Sequence, residues 1–62
     1  MKNTITVTLE NNQTTIIPKD KVFKVYSITT HGGLTKTVIE YINGKLDTVL
    51  ETVQNIEGQL NS

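Results

Sequence analysis

Thr35-Lys36-Thr37-Val38-Ile39-Glu40-Tyr41-Ile42-Asn43-Gly44-Lys45-Leu46-Asp47-Thr48-Val49-Leu50-Glu51-Thr52 is the stretch that decides the fold. Two runs rich in β-branched residues flank Asn43-Gly44. Asn-Gly in that setting is the strongest short-range hairpin signal, because a type I′ turn needs positive φ at both central residues. A two-residue loop places Ile42 opposite Lys45, Tyr41 opposite Leu46, Glu40 opposite Asp47 and Ile39 opposite Thr48. Val38 then faces Val49, Thr37 faces Leu50 and Lys36 faces Glu51. One side gathers Tyr41, Leu46, Ile39, Thr48, Thr37 and Leu50. The other carries Lys45, Glu40, Asp47, Lys36 and Glu51 around the Val38–Val49 pair. The reading is a half-buried hairpin with one core face and one largely wet face.

Upstream, Phe23 to Thr30 reads as another strand and His31-Gly32-Gly33 as its turn. A two-residue Gly32-Gly33 loop puts Tyr26 opposite Ile39 and Ile28 opposite Thr37, on the core face already inferred. Phe23 and Val25 take the other parity, so this strand is apolar on both sides. Further upstream, Thr4-Ile5-Thr6-Val7-Thr8-Leu9 alternates strictly and predicts a strand with one dry face. Asn11-Asn12 reads as its turn, and Gln13 to Ile17 as a return strand stopped by Pro18. One residue of slip decides whether Ile16 or Ile17 points inward. Pro18-Lys19-Asp20-Lys21 is a connection with room for one helical turn, given Val22 and Val25 at i, i+3. After Thr52, an N-cap residue type, Val53, Ile56 and Leu60 form a short helical stripe, with Gly58 read as its stop. The expected fold is a single mainly β domain over 1–62. It is a small antiparallel five-stranded meander, open or barrel-like, with a short C-terminal helix. Its expected core is Ile5, Val7, Leu9, Tyr26, Ile28, Ile39, Tyr41, Leu46, Leu50 and Ile56.

With 62 residues the chain sits near the lower limit for independent folding. Such domains gain stability from disulfides, a metal or self-association. There is no Cys and a single His, which leaves self-association, as a homodimer or higher oligomer. The formal net charge is zero and every basic residue is Lys. Both facts argue against nucleic acid, whose phosphates and guanines favour basic, Arg-bearing surfaces. No run approaches a membrane span, and Met1-Lys2-Asn3-Thr4 leads into alternation, so a cytoplasmic protein is expected. The lack of Ala and Arg beside abundant Asn, Lys, Ile and Thr suggests a low-GC bacterial or phage genome.

Catalysis needs a nucleophile with its base, paired carboxylates or a metal. His31 stands in a Gly-rich turn, where a solvated residue is the simpler reading, and the Thr residues follow β-propensity. Glu40 and Asp47 face each other in the register above, as two solvated carboxylates on a wet face. No catalytic, cofactor-binding or metal-binding residue is assigned. Phe23, Lys24 and Tyr26 come nearest to a base-stacking platform, but the register assigns Tyr26 to the core.

The order of elements resembles the FlbD family of small flagellar-operon proteins. The likeness rests on Leu9-x-Asn11, Asp20, Val22-x-x-Val25, Thr37-Val38-Ile39-x-Tyr41-x-Asn43-Gly44-Lys45 and Glu51-Thr52-Val53-x-x-Ile56. It spans nearly the whole chain; the loop His31-Gly32-Gly33-Leu34 is longer than that family's connection, and Asp47-Thr48 stands where the family prefers apolar residues. The resemblance implies a non-enzymatic accessory protein linked to motility. Ile17-Pro18-x-Asp20-x-Val22-x-x-Val25, Asn43-Gly44-Lys45 and Ile56-Glu57-x-x-Leu60 also resemble the front half of LytTR-type DNA-binding domains. In that family the basic second half carries much of the DNA contact.

Phe23 and Val25 fall on the parity opposite the inferred core, as do Val38 and Val49. An apolar strip there predicts an interface, covered by the helix or by a second subunit. Lys19, Lys21 and Lys24 add a small basic spot beside it. The expected function is a non-enzymatic binding or accessory protein acting through protein–protein contacts with an unnamed partner. A DNA-associated regulator, or a phage or mobile-element protein that occupies a host protein or small ligand, is the alternative.

Overall fold

Three hairpins built on the same turn organise the chain, and the computed structural model describes residues 3–62. β1 (Thr4–Thr8) pairs antiparallel with β2 (Thr14–Pro18). A single 3-10 turn, Lys19–Lys21, leads into β3 (Val22–Thr29), which pairs with β4 (Thr35–Tyr41), which pairs with β5 (Leu46–Val49). Helix α1 (Val53–Leu60) closes the sequence of elements.

Each hairpin turns through three residues rather than two. Asn12 N–H donates to Leu9 C=O and Leu9 N–H to Gln13 C=O; Gly33 and Thr30 do the same with Thr30 and Leu34, and Gly44 and Tyr41 with Tyr41 and Lys45, all at 2.7–3.0 Å. The last loop residue is left-handed in every case, with φ of 69° at Asn12, 83° at Gly33 and 88° at Gly44. This is a type I turn followed by a residue of positive φ. Side chains complete it. Asn11 Oδ1 accepts from Gln13 N–H and Asn43 Oδ1 from Lys45 N–H; where Gly32 offers no side chain, Thr30 Oγ1 accepts from Leu34 N–H.

The longer loop moves both expected registers of the second sheet by one residue. The observed pairs are Thr37 with Val49, Val38 with Thr48, Ile39 with Asp47 and Glu40 with Leu46. Across β3 and β4, Val25 rather than Tyr26 faces Ile39. A one-residue shift exchanges the two faces of a strand. Val25 and Val49 therefore turn to the core, whereas Tyr26, Ile28 and Leu46 turn away from it. Leu50, expected inside, is also exposed.

The five strands do not form one meander. β1 and β2 make a two-stranded sheet; β3, β4 and β5 make a three-stranded one, and no barrel closes. The sheets touch at a corner, where Leu50 N–H donates to Thr8 C=O at 2.8 Å and Leu9 bridges Val49. The core fills the space between hairpin, sheet and helix. It consists of Ile5, Val7 and Ile17 from the hairpin, Ile39 and Val49 from the sheet, and Ile56 from α1. Leu9, Val22, Val25, Tyr41 and Leu60 pack at its margin. Ile17, not Ile16, points inward. Val22 and Val25 reach the same core because a bulge between Val22 and Lys24 adds one residue to β3, so their i, i+3 spacing does not record a helix.

Thr52 caps α1 as expected, its hydroxyl accepting from Asn55 N–H at 3.1 Å. Gly58 does not stop the helix, which runs on to Leu60. Gly58 carries no left-handed φ, and Leu60 beyond it packs against the core. Packing of the apolar stripe outweighs a glycine penalty of about 1 kcal/mol.

Two outcomes follow for stability. Gly44→Val should cost at least about 1–2 kcal/mol, the penalty for a left-handed L-residue. Its melting temperature should fall by about 4–8 °C per kcal/mol, while Asn12→Gly should melt no lower than the parent. Ile56→Ala, at a position with no exposure, should cost about 2–5 kcal/mol, and Leu50→Ala, at 56% exposure, less than about 1 kcal/mol. Equal urea midpoints for the two alanine variants would count against this core.

Candidate interaction surface

The side of the three-stranded sheet turned away from the core carries the exposed Ile28 and Leu46, with Phe23 beside them. Across the observed registers Tyr26, Val38 and Thr48 form one row, flanked by Ile28 with Lys36 and by Lys24, Glu40 and Leu46. Val38, between Tyr26 and Thr48 in this row, is 4% exposed yet lies outside the core cluster. Ile28 and Leu46 remain open to solvent. Phe23, released by the bulge, is 63% exposed beside them. Lys24 organises this end. Its ammonium lies 3.6 Å from Glu40 Oε1 and within 5.9 and 5.3 Å of the Phe23 and Tyr26 ring centroids. A lysine held by two ring faces and one carboxylate forms a pre-ordered, amphipathic contact point.

The expected interface residues divide between two faces. Phe23 is exposed beside the open side and Val38 stands in its central row, while Val25 packs on the core and Val49 lies within it. The expected basic spot is divided: Lys19 Nζ donates to Ser62 C=O at 2.7 Å, Lys24 lies by the aromatic pair, and Lys21 is exposed. The facing carboxylates disappear with the register. Glu40 belongs to the open face, while Asp47 turns to the core side, where Tyr41 Oη donates to its Oδ2 at 2.7 Å. Burial, then that bond and the Asp47 charge, hold the Tyr41 hydroxyl protonated far above the usual phenol range. A small open niche of Ile16, Ile17, Pro18, Lys21, Tyr41 and Ile42 adjoins this pair. His31 is exposed in its turn. Among the described residues no three His, Cys, Asp or Glu side chains converge as metal ligands, and no helix is long and apolar enough to cross a membrane.

Sequence reasoning missed how the edges of the sheets are finished. The outer edge of β1 presents the main-chain groups of Thr6 and Thr8. Gln59 of α1 meets Thr6 like a neighbouring strand, Oε1 accepting from its N–H at 2.8 Å and Nε2 donating to its C=O at 3.0 Å. Glu51 accepts from Thr8 N–H through Oε1 at 2.8 Å and from the Thr8 hydroxyl through Oε2 at 2.9 Å. Burial alone would raise the Glu51 pKa, but these bonds and one from its own N–H outweigh it and hold the carboxyl below its ordinary value. The Gln and Glu positions carry no periodic signature that marks such roles.

β2 is five residues long and ends on Pro18, whose imide nitrogen sits opposite Thr4 on the side away from the β1 ladder. β5 is met by Leu9 and Thr8 at the corner. β3 is finished differently. Its eight residues border the sheet with neither proline nor a capping side chain. Comparison with protein-family models, with curated proteins and with solved structures gives no significant match.

The Glu51 clamp has a pH signature. A carboxyl with a depressed folded pKa contributes stability that is whole above about pH 4.5 and is lost as pH falls through the lowered value. The urea midpoint of the parent should therefore drop between about pH 5 and pH 3 more steeply than that of Glu51→Gln. Parallel profiles would show that the clamp contributes nothing.

Proposed function

We propose that this chain is a non-enzymatic binding or accessory protein that works through protein–protein contacts, self-association among them. The observation that carries this reading is the open sheet face. Phe23, Ile28 and Leu46 stay exposed on a chain that buries only a small core, around a lysine already fixed by two aromatic rings. Exposed aromatic and aliphatic anchors beside an ordered charge are the usual makings of a contact surface. The likeness to the FlbD pattern points the same way, towards a non-enzymatic accessory role. Three of the lysines already have separate partners, Lys19 in Ser62, Lys24 in Glu40 and Lys36 in Glu10, which speaks against a shared phosphate track.

The test combines two measurements on one variant. Phe23→Glu with Ile28→Glu should melt within about 2 °C of the parent, because both positions are solvent-facing. It should lose the concentration-dependent mass of the parent in sedimentation, or its retention of a protein partner on an immobilised column. A parent that neither associates nor retains any protein through this face would sink the reading. Salt-sensitive binding to duplex DNA would favour the regulator instead.

A further inference from the structure

The open edge of β3 is a pairing site whose occupant can be read from its own sequence. In the β3–β4 ladder, the Thr30 N–H bond to Leu34 C=O sets the phase, so Ile28, Tyr26 and Lys24 direct their main-chain groups at β4. Val25, Ser27 and Thr29 therefore direct theirs outward, and among the described residues those groups meet no hydrogen-bonding partner. Among the described residues, Gln59 and Glu51 cap the outer edge of β1 at Thr6 and Thr8, Pro18 cuts short the outer edge of the five-residue β2, and the four-residue β5 runs into the corner with Leu9. β3 therefore offers the longest regular open edge. An unprotected regular edge is a template for a further strand.

We propose that two copies of this chain pair antiparallel through their β3 edges, about a two-fold axis at Ser27, joining two three-stranded sheets into one of six strands. This deepens the binding reading above and rests on it. The register follows from symmetry. A two-fold at Ser27 sets Val25 opposite Thr29 of the second copy, Ser27 opposite Ser27, and Thr29 opposite Val25. It is the one antiparallel register that uses all three outward positions, and each such pair exchanges two main-chain bonds. The intervening residues then complement each other on the open face, with Tyr26 beside Ile28 of the second copy and Ile28 beside Tyr26. An aromatic against a β-branched residue is a favourable cross-strand pair. Lys24 falls opposite Thr30, so no like charges meet and its Glu40 ion pair survives. The small, exposed Ser27 allows the close approach at the axis, and the bulge between Val22 and Lys24 ends the pairing window on one side.

Ser27→Pro separates the folded chain from the pair. Its missing N–H lies on the outward side, where an edge strand tolerates proline, so the monomer should keep its melting profile. Sedimentation from micromolar to near-millimolar concentration should show a dimeric parent and a Ser27→Pro dimer weakened about tenfold or more, through loss of the two central bonds. A dimeric parent unaffected by Ser27→Pro overturns the edge pairing while leaving self-association standing. A monomeric parent overturns it too, and the binding reading then stands or falls on face-dependent retention of another protein. Should Ser27→Pro fail to fold, Ser27→Lys and Ser27→Glu decide the matter. Each alone should be monomeric, because like charges meet at the axis, and an equimolar mixture should recover the dimer. Single variants as dimeric as the parent overturn the proposal.

Discussion

The left-handed residue that ends each loop, at Asn12, Gly33 and Gly44, is the constraint on which the rest of the molecule depends. A three-residue loop and a two-residue loop differ by one position of register, and one position decides which half of a strand is dry. With the longer loop, Val25, Ile39 and Val49 turn to the same side and meet Ile5, Val7, Ile17 and Ile56. With the shorter one, Tyr26 and Leu46 would have to fill that space. The smaller residues leave room for the helix to lie close, and Ile56 is wholly buried.

Elements were legible in the sequence; offsets were not. Strict alternation located the first strand, β-branched runs between turn residues located the other four, and the Val53, Ile56 and Leu60 stripe with its Thr52 cap located the helix. Register is a single bit carried by the turn, and Asn-Gly and Gly-Gly are compatible with either loop length. The bulge in β3 has no residue signature of its own, and it converts an i, i+3 spacing into one shared face. The candidate surface inherits the same asymmetry. Val38 keeps its side because the phase of β4 does not depend on the turn, Val25 and Val49 change sides with it, and Phe23 escapes the change through the bulge.

Edges explain much of what the polar residues do. β1 would expose Thr6 and Thr8 to any passing strand, and two side chains from the C-terminal segment occupy those groups instead. A carboxamide sets an acceptor and a donor side by side, as the C=O and N–H of one strand residue are, so Gln59 ends the sheet as a neighbouring strand would. Of the three Thr on one side of β1, Thr8 also binds Glu51 through its hydroxyl. The contrast with β3 makes its bare edge informative rather than incidental.

The Gln59 bonds to Thr6 join positions 53 residues apart, whereas each hairpin is closed by a loop of three. Contacts so different in span form on different timescales, local hairpins within microseconds and distant closures later. The hairpins can therefore form one by one as the chain lengthens, but β1 keeps an open edge and lacks the cover of Ile56 until the helix arrives with Gln59. During synthesis the first strand is the last to be secured, and in that interval it is the segment most in need of protection from neighbouring chains.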